Sequence, residues 1–129
     1  MSLDELRAKD RAARTHTVEI DGHKFSILRP TELEAIRITT QVAESEDKTG
    51  VDMIRFALPY VIGWDLTEAD IVEGGDDTPV EFSADALDLY AADHASAADR
   101  LSSEIYQLIA DRRKKVRVDK KKSKSTSGS

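Results

Sequence analysis

Three histidines, a stretch crowded with carboxylates and one glycine pair are the residues of this chain whose types could do chemistry. A metal site needs His, Cys or carboxylate ligands converging on one ion. His16 and His23 flank Asp21-Gly22 and share one hairpin face, but no third ligand is spaced with them. They read as polar positions at the rim of an apolar face. His94 follows Asp93 in a low-bulk segment that reads as a turn, and nothing beside it makes it a base. Glu73, Asp76, Asp77 and Glu81 lack the regular ligand positions and terminal Glu of a calcium loop, which leaves a solvated acidic loop. Gly74-Gly75 is not followed by the Lys-Ser/Thr of a phosphate-binding loop, and no serine sits in a nucleophile elbow. Cysteine is absent, so disulfides and thiolate metal sites are excluded. The expectation is a binding protein, not an enzyme, with no catalytic, cofactor or metal residues.

The bulk numbers narrow the kind of binding. With 129 residues the chain has a single-domain length. A domain of that size buries somewhat over ~60% of its unfolded surface, enough for one modest core. Aromatics make up 5% and charged residues 34%, so Leu, Ile, Val and Ala must build most of that core. No apolar run approaches the ~18 residues of a membrane span, and the N-terminus lacks the apolar middle of a secretion signal. A soluble, intracellular protein without membrane contact is expected. The net charge of -6 hides a division. Residues 111–129 hold nine basic against two acidic residues, leaving +7, whereas the rest holds ten against twenty-three, leaving -13. An acidic body repels phosphates and disfavours a nucleic acid partner.

The elements that would position these residues begin with Ser2–Arg14, where Leu3, Leu6 and Ala13 give a thin apolar face. That pattern suits a marginal or mobile helix, or one that docks on a partner. His16, Val18 and Ile20 alternate with Thr17 and Glu19, and His23, Phe25 and Ile27 alternate with Lys24 and Ser26. Asp21-Gly22 between two such runs predicts a two-residue hairpin over 16–28. In that register Val18 faces Phe25, Ile20 faces His23, and Glu19 pairs with Lys24. A lone hairpin is unstable in water and must lie on helices. Thr31-Glu32-Leu33-Glu34 is a capping-box sequence. It opens a helix over about 32–44 that is expected to bury Leu33, Ile36, Thr40 and Ala43, with Ile38 and Val42 widening the stripe. Further helices are predicted over about 51–62, 84–92 and 96–116, with Thr49, Ser83 and Ser96 as N-caps. The last buries Leu101, Ile105, Leu108 and Ile109. Residues 117–129 form a low-complexity basic tail expected to be disordered. The fold class is therefore mainly α with a small N-terminal β-hairpin (α+β): a compact bundle of about four helices over 15–116, preceded by residues 1–14 and followed by the tail.

The centre of this arrangement is Ile54–Tyr90, which holds the only Trp. Ile54, Ala57, Leu58, Val61 and Ile62 follow helical spacing. Pro59 should kink or shorten that helix, and Gly63 supplies a C-cap before Trp64. An acidic loop follows, closed by Pro79-Val80-Glu81-Phe82, and then a helix through Leu87 and Tyr90. This order, Val61-Ile62-Gly63-Trp64, then Pro79-Val80-Glu81-Phe82-Ser83, then Leu87 and Tyr90, resembles the tail assembly chaperones of long-tailed bacteriophages. Asp21-Gly22-His23-Lys24-Phe25 looks like the family's early Asp-Gly-x-x-Phe element, and the likeness spans roughly residues 18–109.

The resemblance implies a small helical chaperone that binds the tape measure protein, keeps it soluble, and promotes assembly of tail-tube subunits around it. It implies action in the host bacterial cytoplasm, in many copies with self-association, and absence from the mature virion. It also implies a longer product made by ribosomal frameshift, with Lys120-Lys121-Lys122 as the place for an A-rich slippery stretch. Large aromatics mostly fill small cores. Tyr60, Trp64, Phe82 and Tyr90 are nevertheless the residues expected to anchor a partner, as aromatics often do. Arg112, Arg113, Lys114, Lys115, Lys120, Lys121 and Lys122 are the expected tail contacts, without the interleaved aromatics that would stack on bases. The alternative class is a structural virion component such as a head–tail connector or adaptor. A third is a DNA-associated regulator acting through the basic tail.

Overall fold

A computed structural model describes the backbone of residues 1–127 and the side-chain surroundings of residues 1–121. Helix α1 spans Leu3–Arg14 and is capped by Ser2, whose hydroxyl accepts from the Glu5 amide. None of its side chains is buried. Strands β1 (Thr15–Ile20) and β2 (His23–Leu28) pair in the expected register, with Val18 opposite Phe25, Glu19 opposite Lys24 and Ile20 opposite His23. Asp21 and Gly22 have φ of 54° and 81°. Positive φ at both central residues is what a type I′ hairpin turn demands, and Asn or Asp followed by Gly meets it at least cost.

The hairpin carries a third strand where a helix was expected. The helix over 51–62 stops early. Helix α3 covers only Val51–Ala57, a 3₁₀ turn covers Leu58–Tyr60, and Val61–Trp64 form strand β3, antiparallel to β2. Pro59 has no amide to continue an α-helical ladder, and the chain leaves the helix at that point. The β-branched pair Val61-Ile62 then joins the sheet, with an irregularity opposite Ser26/Ile27 that leaves Ile62 as the extra residue. Gly63 is thus no helix cap. It sits opposite Ser26, where an added Cβ would lie 3.4 Å from the Ser26 Cβ.

Helix α2 (Glu32–Glu44) has the full capping box: Thr31 Oγ1 accepts from the Glu34 amide and the Glu34 carboxylate accepts from the Thr31 amide. Its buried face corrects the expectation. Ala35 and Ile38 are buried with Val42 packed beside them, while Leu33 is 80% and Ile36 58% exposed. Both stripes have helical spacing, so periodicity alone could not choose between them. The turn of Glu34 toward Tyr60, whose hydroxyl donates to it at 3.1 Å, goes with the smaller face packing inward.

A short helix α4 (Glu68–Ile71) lies in the stretch taken as a solvated loop. Thr67 caps it with Asp70, and the loop after it wraps back: Glu68 and Ala69 amides donate to the Thr78 and Asp76 carbonyls, and the Val80 amide donates to Leu66. Gly75 is required there, because an added Cβ would lie 2.7 Å from the Glu68 backbone. Helix α5 (Ala84–Asp93) starts at the expected Ser83 cap and ends at His94. Helix α6 begins at Ala95, one residue before the expected Ser96 cap, and runs to Ser127. The tail expected to be disordered from residue 117 thus continues as helix. No Pro or Gly interrupts it before Gly128, and lysine is a good helix former. Residues 128 and 129 lie outside the described residues.

The core lies where the sheet meets α5 and α6. Phe25, Ile27, Leu66, Leu101 and Ile105 are almost wholly enclosed, with Leu58, Val61, Leu87 and Tyr90 around them. Among the described residues the fold is mostly helical, with six α-helices and one three-stranded antiparallel sheet in the order β1-β2-β3.

Candidate functional site: two grooves and an aromatic seam

The four aromatics expected to anchor a partner do not form one surface. Trp64 is half-buried at the end of β3 and its indole N–H donates to the Val80 carbonyl at 2.8 Å, tying the return of the acidic loop to the sheet. The Phe82 ring meets it edge-on at 5.1 Å, and Tyr90 lies 6.0 Å away. Tyr90 is buried, packs against Phe25 and stacks on the His94 ring at 4.4 Å. Burial raises the Tyr90 hydroxyl above its ordinary pKa, with Asp21 and Asp70 adding to the effect. Tyr90 is a core residue, which corrects its place among the anchors. Tyr60 stands apart, facing α2. Burial and then the charge of Glu34 push its hydroxyl up to about 12.

The histidines find polar partners but no common centre. His23 Nε2 lies 3.2 Å from Asp70 and its Nδ1 3.8 Å from Asp65, which joins the hairpin to α4. Asp65 also accepts from the Lys24 amide, and Asp70 is held by the Thr67 amide and hydroxyl. His94 Nδ1 sits 2.8 Å from the Tyr90 carbonyl at the α5–α6 junction, and His16 is exposed. Among the described residues no three His, Cys, Asp or Glu side chains gather as metal ligands, and no helix is long and apolar enough to cross a membrane.

The concave surfaces lie elsewhere, between helices. A hollow of about 460 Å³ is lined by Pro59, Val61, Ile62, Phe82 and Leu87. Beside it a larger one, about 730 Å³, runs between α3 and the α5–α6 junction, with Val51 and Ile54 on one wall and Ala91 and Ala92 of α5 and Ala95 and Ala98 of α6 on the other. The two share Arg55, Leu58 and Asp88, so they make one trough. Ala84, Leu87 and Ala91 recur every three or four residues along α5, the spacing of one helix face, and Ala95 and Ala98 continue the wall from the start of α6. Small side chains on such a face let another helix approach closely, and the charged lining is Arg11 and Arg55 with Asp88. Phe82 is the expected anchor that lines it.

The second groove, about 440 Å³, lies between α2 and α6. Pro30, Ala35, Ile36, Ile109 and Val116 form its apolar part. Arg112, Arg113 and Arg117 also line it, against the single carboxylate of Glu32. The Arg112 Nε is buried without a hydrogen-bond acceptor, the Glu32 carboxylate being 3.6 Å away, and 3.6 Å is too long for a hydrogen bond. Arg113 donates to Thr39 at 3.4 Å. Of the expected tail contacts, Arg112 and Arg113 thus belong to this groove. Lys114, Lys115, Lys120 and Lys121 are exposed along α6, and the side chain of Lys122 lies outside the described residues.

Sequence reasoning missed both grooves. The alanines after Tyr90 read as a low-bulk gap between helices. Leu33 and Ile36 were assigned to the core.

No protein-family model, curated protein or solved structure matches the chain.

Proposed function

We propose that this protein is a tail assembly chaperone of a long-tailed bacteriophage. It binds the tape measure protein, keeps it soluble in the host bacterial cytoplasm, promotes assembly of the tail-tube subunits, and leaves before the virion is complete. The observation that carries the structural side of this reading is the α3–α5 trough. An elongated helical client exposes apolar stripes that must be covered until its partners arrive, and an amphipathic helix laid into an apolar groove is the economical way to cover one. The trough offers alanines for close approach, Phe82 at one end, and a mostly apolar lining with only Arg11, Arg55 and Asp88 charged. Holding a client this way needs no turnover. The family itself is supported by the order of residues from Asp21 to Tyr90.

Coexpression with a tape measure protein, expected as a very long helical reading frame beside this one, is the direct test. The client is expected in the soluble fraction only when this chain is present, and a client equally insoluble in both cases would remove the reading. A slippery heptamer at the codons for Lys120–Lys122, with an overlapping downstream frame, is expected in the coding DNA.

One observation favours a second reading, a head–tail connector or adaptor. Helix α6 continues from Ile109 to Ser127, and none of its described side chains past Ile109 is buried. Such an arm suits a permanent structural contact. Mass spectrometry of purified particles separates the two, since a chaperone is absent from them and a connector is present.

A further inference from the structure

We propose that the arginine-lined groove between α2 and α6 is a docking site for an acidic amphipathic helix of another protein, whose aliphatic side chains cover the floor while its carboxylates meet the guanidinium groups. The lining asks for both parts. Ile36 of α2 with Ile109 and Val116 of α6 gives it an apolar floor, and Arg112, Arg113 and Arg117 join them from α6. Glu32 is the one carboxylate of the lining, and the Arg112 Nε 3.6 Å from it is buried without an acceptor. The positive excess extends past the rim. Arg29, beside Pro30 in the chain, has its guanidinium pKa lowered by burial first and then by the charges of Arg112 and Arg14, with Asp10 and Glu32 only partly offsetting them. Carboxylates brought here by a partner would meet cations that have too few anions of their own.

The form of the partner follows from the spacing of the lining. From Ile109 to Arg117 the lining residues of α6 fall on one helix face, a run of about 12 Å at ~1.5 Å per residue. A helix with aliphatic and acidic residues at the same spacing presents both kinds of group in step with that face. Opposite it Ile36 is 58% exposed, and Leu33, one turn earlier on α2, is 80% exposed, so the apolar surface runs on for a partner of several turns. A small anion would satisfy the arginines and leave the floor wet. A nucleic acid would do the same, and among the described residues no aromatic side chain lines the groove to stack on a base. The contact is smaller than the ~1,200–2,000 Å² of standard stable interfaces, which places it in the micromolar range. Arg113 and Arg117 are exposed, so salt weakens it. The groove shares no lining residue with the α3–α5 trough, and the proposal does not rest on the client reading.

The test is fluorescence anisotropy of the full chain with a labelled synthetic peptide of about three helical turns, carrying leucines on one face and glutamates beside them. The rival probes are the same peptide with lysine for glutamate, a leucine-free glutamate peptide, and a labelled random-sequence DNA duplex. The acidic amphipathic peptide is expected to bind with a micromolar Kd that rises with salt, and each rival to bind at least about tenfold more weakly. Arg113→Glu with Arg117→Glu, and separately Ile36→Asp, change exposed positions. Each should weaken peptide binding at least about tenfold with an unchanged far-ultraviolet circular dichroism spectrum. Arg113→Gln with Arg117→Gln repeats the test if the glutamate pair does not fold. Lys114→Glu with Lys115→Glu makes the same charge change on the same helix but outside the groove, and should leave binding within about threefold at physiological salt, where the Debye length is about 8 Å. Ala92→Trp fills the trough instead and should leave peptide binding unchanged. Absence of peptide binding overturns the proposal. So does equal binding of the leucine-free peptide or the duplex, equal loss in the lysine pair, or loss in Ala92→Trp. An oligomer of the chain that dissociates as the peptide binds also overturns it, because a second copy then fills the groove.

Discussion

The trough between α3 and α5 and the groove between α2 and α6 are built from similar helices, yet their chemistry differs. The trough is walled mainly by alanines and aliphatic residues, with Arg11 and Arg55 set against Asp88. The groove sets three arginines against one glutamate. Apolar burial is non-directional and tolerates many partners of roughly the right shape. Unbalanced charge steers association and rejects partners of the wrong sign. The first surface therefore suits a varied client, and the second suits one defined partner. Both rest on the same core, since α6 supplies Leu101 and Ile105 to the centre and Ile109 to the α2 side.

That shared support sets the largest predicted effect. Leu101 is fully enclosed, and Leu101→Ala is expected to cost about 2–5 kcal/mol. Both surfaces should fail together as the melting temperature falls; loss of only one would break the claim of common support. Gly75→Ala should cost about 1–3 kcal/mol, because the new methyl would press on the Glu68 backbone and force a shift. Its site on the α4 loop lines neither surface, so below the lowered melting temperature client solubilisation should stay intact. Ala92→Trp sharpens the comparison from the other side. Ala92 is exposed and lines the trough, so a large ring there blocks it without disturbing the core. Client solubilisation in the coexpression assay should fall at least about tenfold, near 1.4 kcal/mol, while sedimentation of the protein alone is unchanged.

How far the sequence foretold these surfaces depends on what kind of signal each carries. The hairpin was legible to the residue, because alternation, an Asp-Gly turn and the Glu19–Lys24 pair all demand one register. The capping box at Thr31 and the cap at Ser83 were legible because each is a local hydrogen-bond problem with few solutions. Strand β3 was not. Its four residues are too short to alternate, and Val61-Ile62 extends the spacing of α3 past Pro59. The face of α2 was not legible either: two stripes fit the helical period, and the choice fell to Glu34 and Tyr60, 26 positions apart. Helix α4 is a single turn made worthwhile by backbone bonds from the loop that follows it. The trough is hardest of all to see, because alanine marks a cavity only once its neighbours are known.

The Glu34–Tyr60 bond is also the point where the two surfaces can be uncoupled. Tyr60 belongs to the 3₁₀ turn whose Leu58 and Pro59 line the trough, and Glu34 belongs to the helix that walls the groove. Burial pushes the Glu34 carboxyl up, but the Thr31 amide and the Tyr60 hydroxyl that donate to it outweigh this and hold it below its ordinary value. A carboxylate with a lowered folded pKa stabilises above its unfolded value, near 4.5, and that contribution is lost as pH falls through the folded value. For Tyr60 the sign is opposite: its raised pKa stabilises below the unfolded value of 10.0 and is lost as pH climbs toward about 12. Tyr60→Phe keeps the ring and removes the donor, so at neutral pH it should cost about 1 kcal/mol, a typical net hydrogen bond. The melting-temperature gap between Tyr60→Phe and wild type should narrow on acidification below pH 4.5, where Glu34 takes up a proton in both proteins. The trough keeps Leu58 and Pro59 in the variant and should hold its client as before. A gap that stays constant through the acid range would mean that α2 is held by Ala35 and Ile38 alone.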